Sequence, residues 1–380
     1  ALLRLDLVAM VEVKAGGLPG RIELAHVLPK DPNAKEAKDT PPYMRLEAPD
    51  VHRLDFDFAA NIQALEAQFT KTTKNRGRDR GKERALVLGV TPDPLRFEET
   101  LELVRSADVV IAGTVQQRRP RINPRTIVGR GKLENIVLEA MRLDATVAIF
   151  DIDLKPAQAR AFEDATGLKA IDRTQLILDI FAQRARSRDG KLQVELAQLK
   201  YSLPRLTEKD AGLSRLTGGI GGRGPGETVM EIGRRRIRDR IRALEKDVER
   251  LSKQRELRRR RRREERLPIL SIVGYTNAGK STLLNALTHS EVETQDKLFM
   301  TLDPISRRLR FPREGEVIIT DTVGFIQDLP KDLLAAFRAT LEELRDAHLI
   351  LHVVDTSDPH MENKLRAVES LLHDLDLGQI

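Results

Sequence analysis

A chain of 380 residues, 40% of them apolar and 32% charged, is long enough for two or three domains with cores of their own. It has no cysteine, which excludes disulfides, thiolate metal sites and cysteine nucleophiles, and it has neither an apolar run of membrane-spanning length nor an opening signal-peptide pattern. The net charge of +7 and a pI near 9.6 point to a polyanionic partner, and because tryptophan is absent and aromatics are only 4%, arginine rather than base stacking must make the contact.

These features predict a soluble, cytosolic α/β protein in four parts. Residues 1–83 form an N-terminal extension of unclear fold. Leu7–Val13 and Ile22–Leu28 flank a Gly-Gly-Leu-Pro-Gly turn and read as a hairpin, whereas Asp31–Thr40 and Lys71–Arg84 read as loops or linkers. From Ala85 the pattern becomes strand and helix in turn: strands at Ala85–Val90, Val109–Val115, Val147–Phe150 and Lys169–Ile171, helices at Leu95–Ser106, Lys132–Leu143, Pro156–Thr166 and Arg173–Arg184. Such alternation predicts a small parallel-sheet domain over residues 84–186. Within it, Val128-Gly-Arg-Gly-Lys132 reads as a tight strand-to-helix turn in preference to a phosphate site, because its spacing matches neither nucleotide fingerprint.

Residues 187–266 have a different rhythm. Leu192, Leu196, Leu199, Leu203 and Leu206 step by four and three, as do Ile237, Ile241, Leu244, Val248 and Leu251. Two such seams predict an antiparallel helical hairpin with Pro204 ending the first arm. Between the arms lies a glycine-rich loop containing Gly218, Gly219, Gly221, Gly222, Arg223 and Gly224, able to follow a partner's contours. The second arm carries Arg234, Arg235 and Arg236, then Arg258, Arg259, Arg260, Arg261, Arg262 and Arg263 in a row. Six adjacent cations repel one another unless something neutralises them, which favours an RNA or DNA backbone over a solvated helix face. Beyond Leu251 the helix has little reason to fold inward.

Residues 267–380 carry the most informative stretch. Ile269–Val273 reads as a buried strand, and Gly274, Tyr275, Thr276, Asn277, Ala278, Gly279, Lys280 and Ser281 spell Gly-x-x-x-x-Gly-Lys-Ser, followed by Thr282 and the apolar helical face of Leu283, Leu284 and Leu287. Backbone N–H groups of such a loop wrap a polyphosphate, and the following helix points its positive end at the anion. Lys280 is expected to reach the outer phosphates and Ser281 to ligate Mg²⁺. Glu316–Thr320 reads as a strand ending in Asp321-Thr-Val-Gly324, where Asp321 holds Mg²⁺ through its outer shell and the Gly324 N–H senses the γ-phosphate. Thr301 is expected to complete the metal shell when a third phosphate is present, so that both loops are ordered by triphosphate and released by hydrolysis. The predicted elements after that are a helix over Leu333–Leu344, a strand over Leu349–Val354 and a helix over Met361–Leu375.

The motifs Gly-Tyr-Thr-Asn-Ala-Gly-Lys-Ser-Thr-Leu, Phe-x-Thr-Leu-Asp-Pro, Asp-Thr-Val-Gly-Phe-Ile and Gly-Gly-Ile-Gly-x-Arg-Gly-Pro-Gly-Glu, with Ile171–Arg186 and Gly190–Leu199, resemble the HflX family of translation-factor-related GTPases from about Ala85 onward. The resemblance implies a monomeric GTPase that cycles between GTP and GDP, binds the large ribosomal subunit and its rRNA with the glycine-rich loop turned toward the peptidyl-transferase region, and in several members splits ribosomes under stress. Some members also bind ATP through the N-terminal domain. Two readings of another class are an RNA-binding or ribosome-assembly factor whose nucleotide site is slow or structural, and an ATP-driven RNA remodeller.

Three positions depart from the expected pattern. The base-reading Asn-Lys-x-Asp is missing: Asn363-Lys364-Leu-Arg366 lies in a predicted helix and ends in arginine, so guanine preference comes from the resemblance, and the GTPase domain is expected to be incomplete at its C-terminal end. Phe325 stands where Ras-like enzymes place a water-orienting glutamine, so intrinsic hydrolysis is expected to be slow. Gly233 replaces an acid that many members place before the arginine pair. At Asn277, related GTPases coordinate a K⁺ ion; a turn-forming asparagine accounts for the residue equally well.

Overall fold

The computed structural model describes residues 7–28, 43–65, 82–117, 122–206, 229–264, 267–288, 298–299, 302, 305–311, 315–327, 344–375 and 377, with the backbone alone at 229–230 and 258–264. The chain forms two compact units, residues 1–173 and 174–380.

The first unit opens with a three-stranded antiparallel sheet of β1 (Val8–Val13), β2 (Pro19–Val27) and β3 (Tyr43–Ala48). The predicted hairpin is present, and β3 is a strand that periodicity did not reveal because its residues are mostly exposed. Alternation in β2 places Ile22 and Leu24 on a buried face with Ala48, against Leu46, Leu54 and Phe56, while Arg21 and Glu23 face outward and pair with Glu47 and Arg45. The expected linkers at Asp31–Thr40 and Lys71–Arg84 fall almost wholly outside the described residues.

A four-stranded parallel sheet follows, in the order β5 (Val110–Gln116), β4 (Arg84–Gly89), β6 (Val147–Phe150), β7 (Lys169–Ile171). Strands β4 and β6 are buried along nearly their whole length, as central strands covered on both faces must be. Helices α1 (Pro94–Ser106), α2 (Arg130–Leu143) and α3 (Pro156–Thr166) connect them. Asp93 caps α1 by accepting from the N–H groups of Leu95 and Arg96, and Pro94 occupies the first helical position, where no N–H is needed. Helix α2 ends on Asp144 in the left-handed region, φ 55°, and α3 on Gly167. The core joins Leu86, Leu88, Ile127, Ile136, Phe150 and Phe162, the two rings meeting edge to face at 4.9 Å.

The order in which strands are added reverses between β4 and β6, and there Asp151 is fully buried. It accepts hydrogen bonds from Val90 N at 2.9 Å, Thr91 N at 3.2 Å and Thr91 Oγ1 at 2.7 Å, so its carboxylate is satisfied by protein donors. The Gly-Arg-Gly segment is the turn into α2: Asn123 Oδ1 accepts from Arg125 N and Thr126 N, and Gly129 is the helix's N-cap. Arg173 is 1% exposed and forms an ion pair with Glu99 while donating to Thr100 Oγ1 at 3.2 Å.

The second unit contains α4 (Arg173–Arg184) from its second residue onward, α5 (Arg188–Ser202) and the 36-residue α6 (Val229–Glu264). Helices α5 and α6 form the expected antiparallel pair, stitched by Glu195 to Arg240 and by Lys200 to Glu245. A short 3-10 turn at Leu203–Arg205 ends the first arm at Pro204. Two details correct the sequence reading. The most buried side chains of α5 are Gln193, Val194 and Ala197, with Leu192, Leu196 and Leu199 only half-buried, so the leucine seam is rotated away from the deepest contact. Past Leu251, α6 does turn a residue inward: Arg255 pairs with Asp189 at the start of α5. On α6, Ile241 and Leu244 are buried as the seam predicts.

The same unit holds a four-stranded sheet in the order β11 (Leu349–Val353), β8 (Ile269–Gly274), β10 (Gly315–Asp321), β9 (Ile305–Phe311), with α7 (Lys280–Thr288) and α8 (Met361–Asp374). Strands β11, β8 and β10 are parallel and β9 runs against β10. Strand β9 was not anticipated; among the described residues it is an edge strand, carrying Arg307, Arg308 and Arg310, charges that disfavour further pairing at an open edge. Among the described residues, no helix is long and apolar enough to cross a membrane.

Candidate nucleotide site

The site forms where β8 and β10, parallel neighbours, both end at the same edge of the sheet. A side chain cannot replace the hydrogen of Gly274, because a Cβ built there lies 2.4 Å from the Val353 carbonyl oxygen and the φ is +154°. The loop then passes through Asn277 at φ 63°, a left-handed position that asparagine tolerates, which supports the turn reading of this residue. Lys280 and Ser281 begin α7.

Lys280 is 6% exposed and its ammonium donates to the Tyr275 carbonyl oxygen at 2.6 Å. Burial lowers its pKa from 10.5 to about 8, with the Asp321 carboxylate pulling the other way. Ser281 Oγ donates to Asp321 Oδ2 at 2.6 Å. Ser281 offers a hard oxygen that would suit Mg²⁺, and Asp321, fully buried at the end of β10, accepts that serine's hydrogen and would act on the ion through it.

The loop after β10 is laid along the phosphate loop. Phe325 N donates to Gly274 O at 3.1 Å, Thr276 N donates to Phe325 O at 2.8 Å, and Gln327 N donates to the Tyr275 hydroxyl at 2.7 Å. The Thr322 hydroxyl donates to Ile272 O at 2.7 Å. Gly324 is pressed into the junction: a Cβ there would meet Thr276 Cγ2 at 2.7 Å and Lys280 Nζ at 3.0 Å. The phenyl ring of Phe325 is buried, 4% exposed. Lys364, from the Asn-Lys pair that fails as a base reader, lies on α8, pairs with Asp358 at 2.5 Å and stands 5.1 Å from the Tyr275 ring centroid.

The structure therefore brings together Gly274 to Ser281, Asp321 and Gly324; Thr282 is exposed on α7. Thr301, the glycines 218, 219, 221, 222 and 224, and Arg223 lie outside the described residues, as does the helix expected at Leu333–Leu344 save its last residue. Arg234, Arg235 and Arg236 lie on α6, where Arg234 donates to Leu206 O at 3.0 Å, and Arg258 to Arg263 continue the same helix. The roles of the Tyr275 hydroxyl and of Thr322 were missed, since each depends on a contact across some fifty positions, with |i−j| of 52 and 50.

A parallel sheet whose strand ends carry Gly-x-x-x-x-Gly-Lys-Ser and Asp-x-x-Gly, locked together by backbone hydrogen bonds, defines a P-loop nucleoside triphosphatase. Residues 95–182 match the family described as GTP-binding GTPase N-terminal, residues 184–262 the GTP-binding GTPase Middle Region, and residues 269–377 the 50S ribosome-binding GTPase. The chain is 51% identical over 300 residues to GTPase HflX of Caldanaerobacter subterraneus, covering 78% of this chain and 70% of the relative. It is 47% identical over 284 residues to GTPase HflX of Escherichia coli, 75% of this chain and 67% of that one. The crystal structure of SsGBP in complex with GDP matches with a TM-score of 0.45 at 24% identity over 78% of this chain and 79% of that one. The chain belongs to the HflX family of GTPases, and the reaction at this site is the hydrolysis of GTP.

Proposed function

We propose that this GTPase is a switch that binds the large ribosomal subunit in its GTP state, contacts rRNA through the residues 218–224 loop and the arginines of α6, and splits or rescues ribosomes under stress. In this reading the chain works as a cytoplasmic monomer with four parts: residues 1–83, the N-terminal α/β domain 84–186, the helical hairpin 187–266 and the GTPase domain 267–380. The observation that supports it is the junction of Gly324 with Lys280: in this reading a γ-phosphate held by Lys280 would bear on the loop after β10, and the bound nucleotide would be read mechanically. The 50S ribosome-binding GTPase match over residues 269–377 and the run of cations on α6 support this partner.

At the site, Gly274 to Thr282 cradle the phosphates, Lys280 neutralises the outer ones, Ser281, Thr301 and, through its outer shell, Asp321 hold Mg²⁺, and Gly324 senses the γ-phosphate. When bound, Mg²⁺ would supply charge neutralisation to the phosphates. A K⁺ ion at Asn277 rests on the family resemblance alone; equal turnover in potassium and sodium buffers would remove it. Sedimentation of the full-length protein with ribosomes tests the whole reading: binding with a non-hydrolysable GTP analogue and release with GDP is expected, and equal binding in both states would end it.

A further inference from the structure

Among the described residues of the GTP site, the buried hydroxyl of Thr276 has no hydrogen-bond partner in the protein. Thr276 is 5% exposed and its Oγ1 is buried without a hydrogen-bond partner, although its own N–H is satisfied by Phe325 O at 2.8 Å. The neighbouring hydroxyls are committed: Ser281 Oγ to Asp321 Oδ2 at 2.6 Å, and Thr322 Oγ1 to Ile272 O at 2.7 Å. A buried hydroxyl left unpaired is destabilising, so its persistence calls for a partner that arrives with the ligand. Its place says which part of the ligand. Thr276 packs against Gly324, its Cγ2 only 2.7 Å from where a Cβ on that glycine would stand, and the same point is 3.0 Å from Lys280 Nζ. In the proposed reading this is the γ-phosphate end of the site, and the side chain after Gly324 is the buried phenyl of Phe325, which offers nothing to a water molecule.

We propose that Thr276 is a catalytic residue: its hydroxyl holds the attacking water, accepting a hydrogen bond from the water and donating one to a γ-phosphate oxygen. In the step, the water oxygen forms a bond to the γ-phosphorus while the bond from phosphorus to the β–γ bridging oxygen breaks, and GDP leaves with that electron pair. The water's proton passes to a phosphate oxygen, so Thr276 Oγ1 ends with the proton it began with. Orientation of the nucleophile is its whole contribution. The proposal rests on the assignment of this site as the hydrolytic one.

The test compares full-length wild type, Thr276→Val, which keeps the shape and removes the hydroxyl, and Thr276→Ser, which keeps the hydroxyl. Single-turnover GTP hydrolysis, GDP affinity and the thermal midpoint of the nucleotide-free protein are measured for each. The valine protein is expected to lose on the order of tenfold to a hundredfold in rate, with GDP affinity within about threefold of wild type and an unlowered midpoint, because no protein hydrogen bond is removed. The serine protein is expected to retain the wild-type rate within about threefold. A valine rate loss smaller than about tenfold, a serine variant as slow as valine, or a GDP affinity that falls with the rate would each overturn the proposal. Lys280→Ala in parallel tests the site itself: undiminished triphosphate binding there would refute the site assignment, whatever the Thr276 variants do.

Discussion

Ser281 Oγ and Asp321 Oδ2, from residues forty positions apart, share a 2.6 Å hydrogen bond across the ends of α7 and β10. The bond uses the serine's hydrogen and leaves its oxygen lone pairs for a divalent ion that would arrive with the nucleotide, so that Asp321 would act on the ion through that serine. Ser281→Ala should therefore need about tenfold more Mg²⁺ for half-maximal nucleotide affinity. Its Mg²⁺-free GDP affinity should stay near wild type. A magnesium titration followed by nucleotide fluorescence checks this; an unmoved midpoint would take Ser281 out of the metal shell.

Lys280 gives the site a pH dependence whose sign is fixed. Burial places its pKa at about 8 in the free protein, below the ordinary 10.5, and a bound polyphosphate favours the charged form. Below pH 8 free and bound proteins are both protonated and affinity is level. Above it the free protein must take up a proton to bind, so the GDP dissociation constant should rise by up to about tenfold per pH unit. Asp321→Asn removes the charge that opposes the shift, and the rise should begin at lower pH. Isothermal titration in buffers of different ionisation heat reads the proton uptake directly.

Two glycines make a matched pair of controls. Gly274→Ala sets a methyl 2.4 Å from the Val353 carbonyl oxygen at a φ of +154°, and should destabilise by about 2–4 kcal/mol. Gly131 sits in α2 with open space around it, and Gly131→Ala should stabilise by about 0.5–1 kcal/mol. Chemical denaturation of each variant measures both.

The Glu99–Arg173 pair is almost wholly enclosed, at 4% and 1% exposure. Glu99→Ala leaves a guanidinium buried against Thr100 and should cost about 3–5 kcal/mol. The double change Glu99→Leu, Arg173→Met should cost much less than Glu99→Ala alone, since no charge is left stranded. Denaturant unfolding of the single and double variants checks this.

Replacing Arg258 to Arg263 with glutamine should weaken ribosome association and flatten its dependence on salt. Every arginine that ceases to neutralise a phosphate should lower the slope of log K against log salt by about 0.7–0.9. An unchanged slope would return those arginines to solvent.

Which features were readable beforehand follows from the range of the interactions behind them. The strands at Ala85 and Val147 and the helices at Pro94 and Pro156 announce themselves through continuous burial and local capping, so their bounds fall within a residue or two of expectation. The phosphate loop was legible because its chemistry constrains eight adjacent positions. Strand β9 was not, because Ile305 and Leu309 alternate with arginines and read as a charged connection until β10 pairs with it. The inward turn of Arg255 was equally hidden, since only tertiary contact puts Asp189 within reach. Tyr275 is the clearest case within the site. Nothing near it in the sequence indicates that its hydroxyl receives Gln327 N or that Lys364 approaches its ring.

The outermost strand of the small antiparallel sheet has a consequence for handling the protein. Among the described residues β1 pairs with β2 alone, and it leaves Met10 and Val13 64% and 74% exposed. A one-sided ladder bearing bare aliphatic groups is a template for any extended segment, restrained here by Glu12 and Lys14 at its end. Under high salt, which screens those two charges, clumping should begin at this margin before the GTP-binding half loses its form.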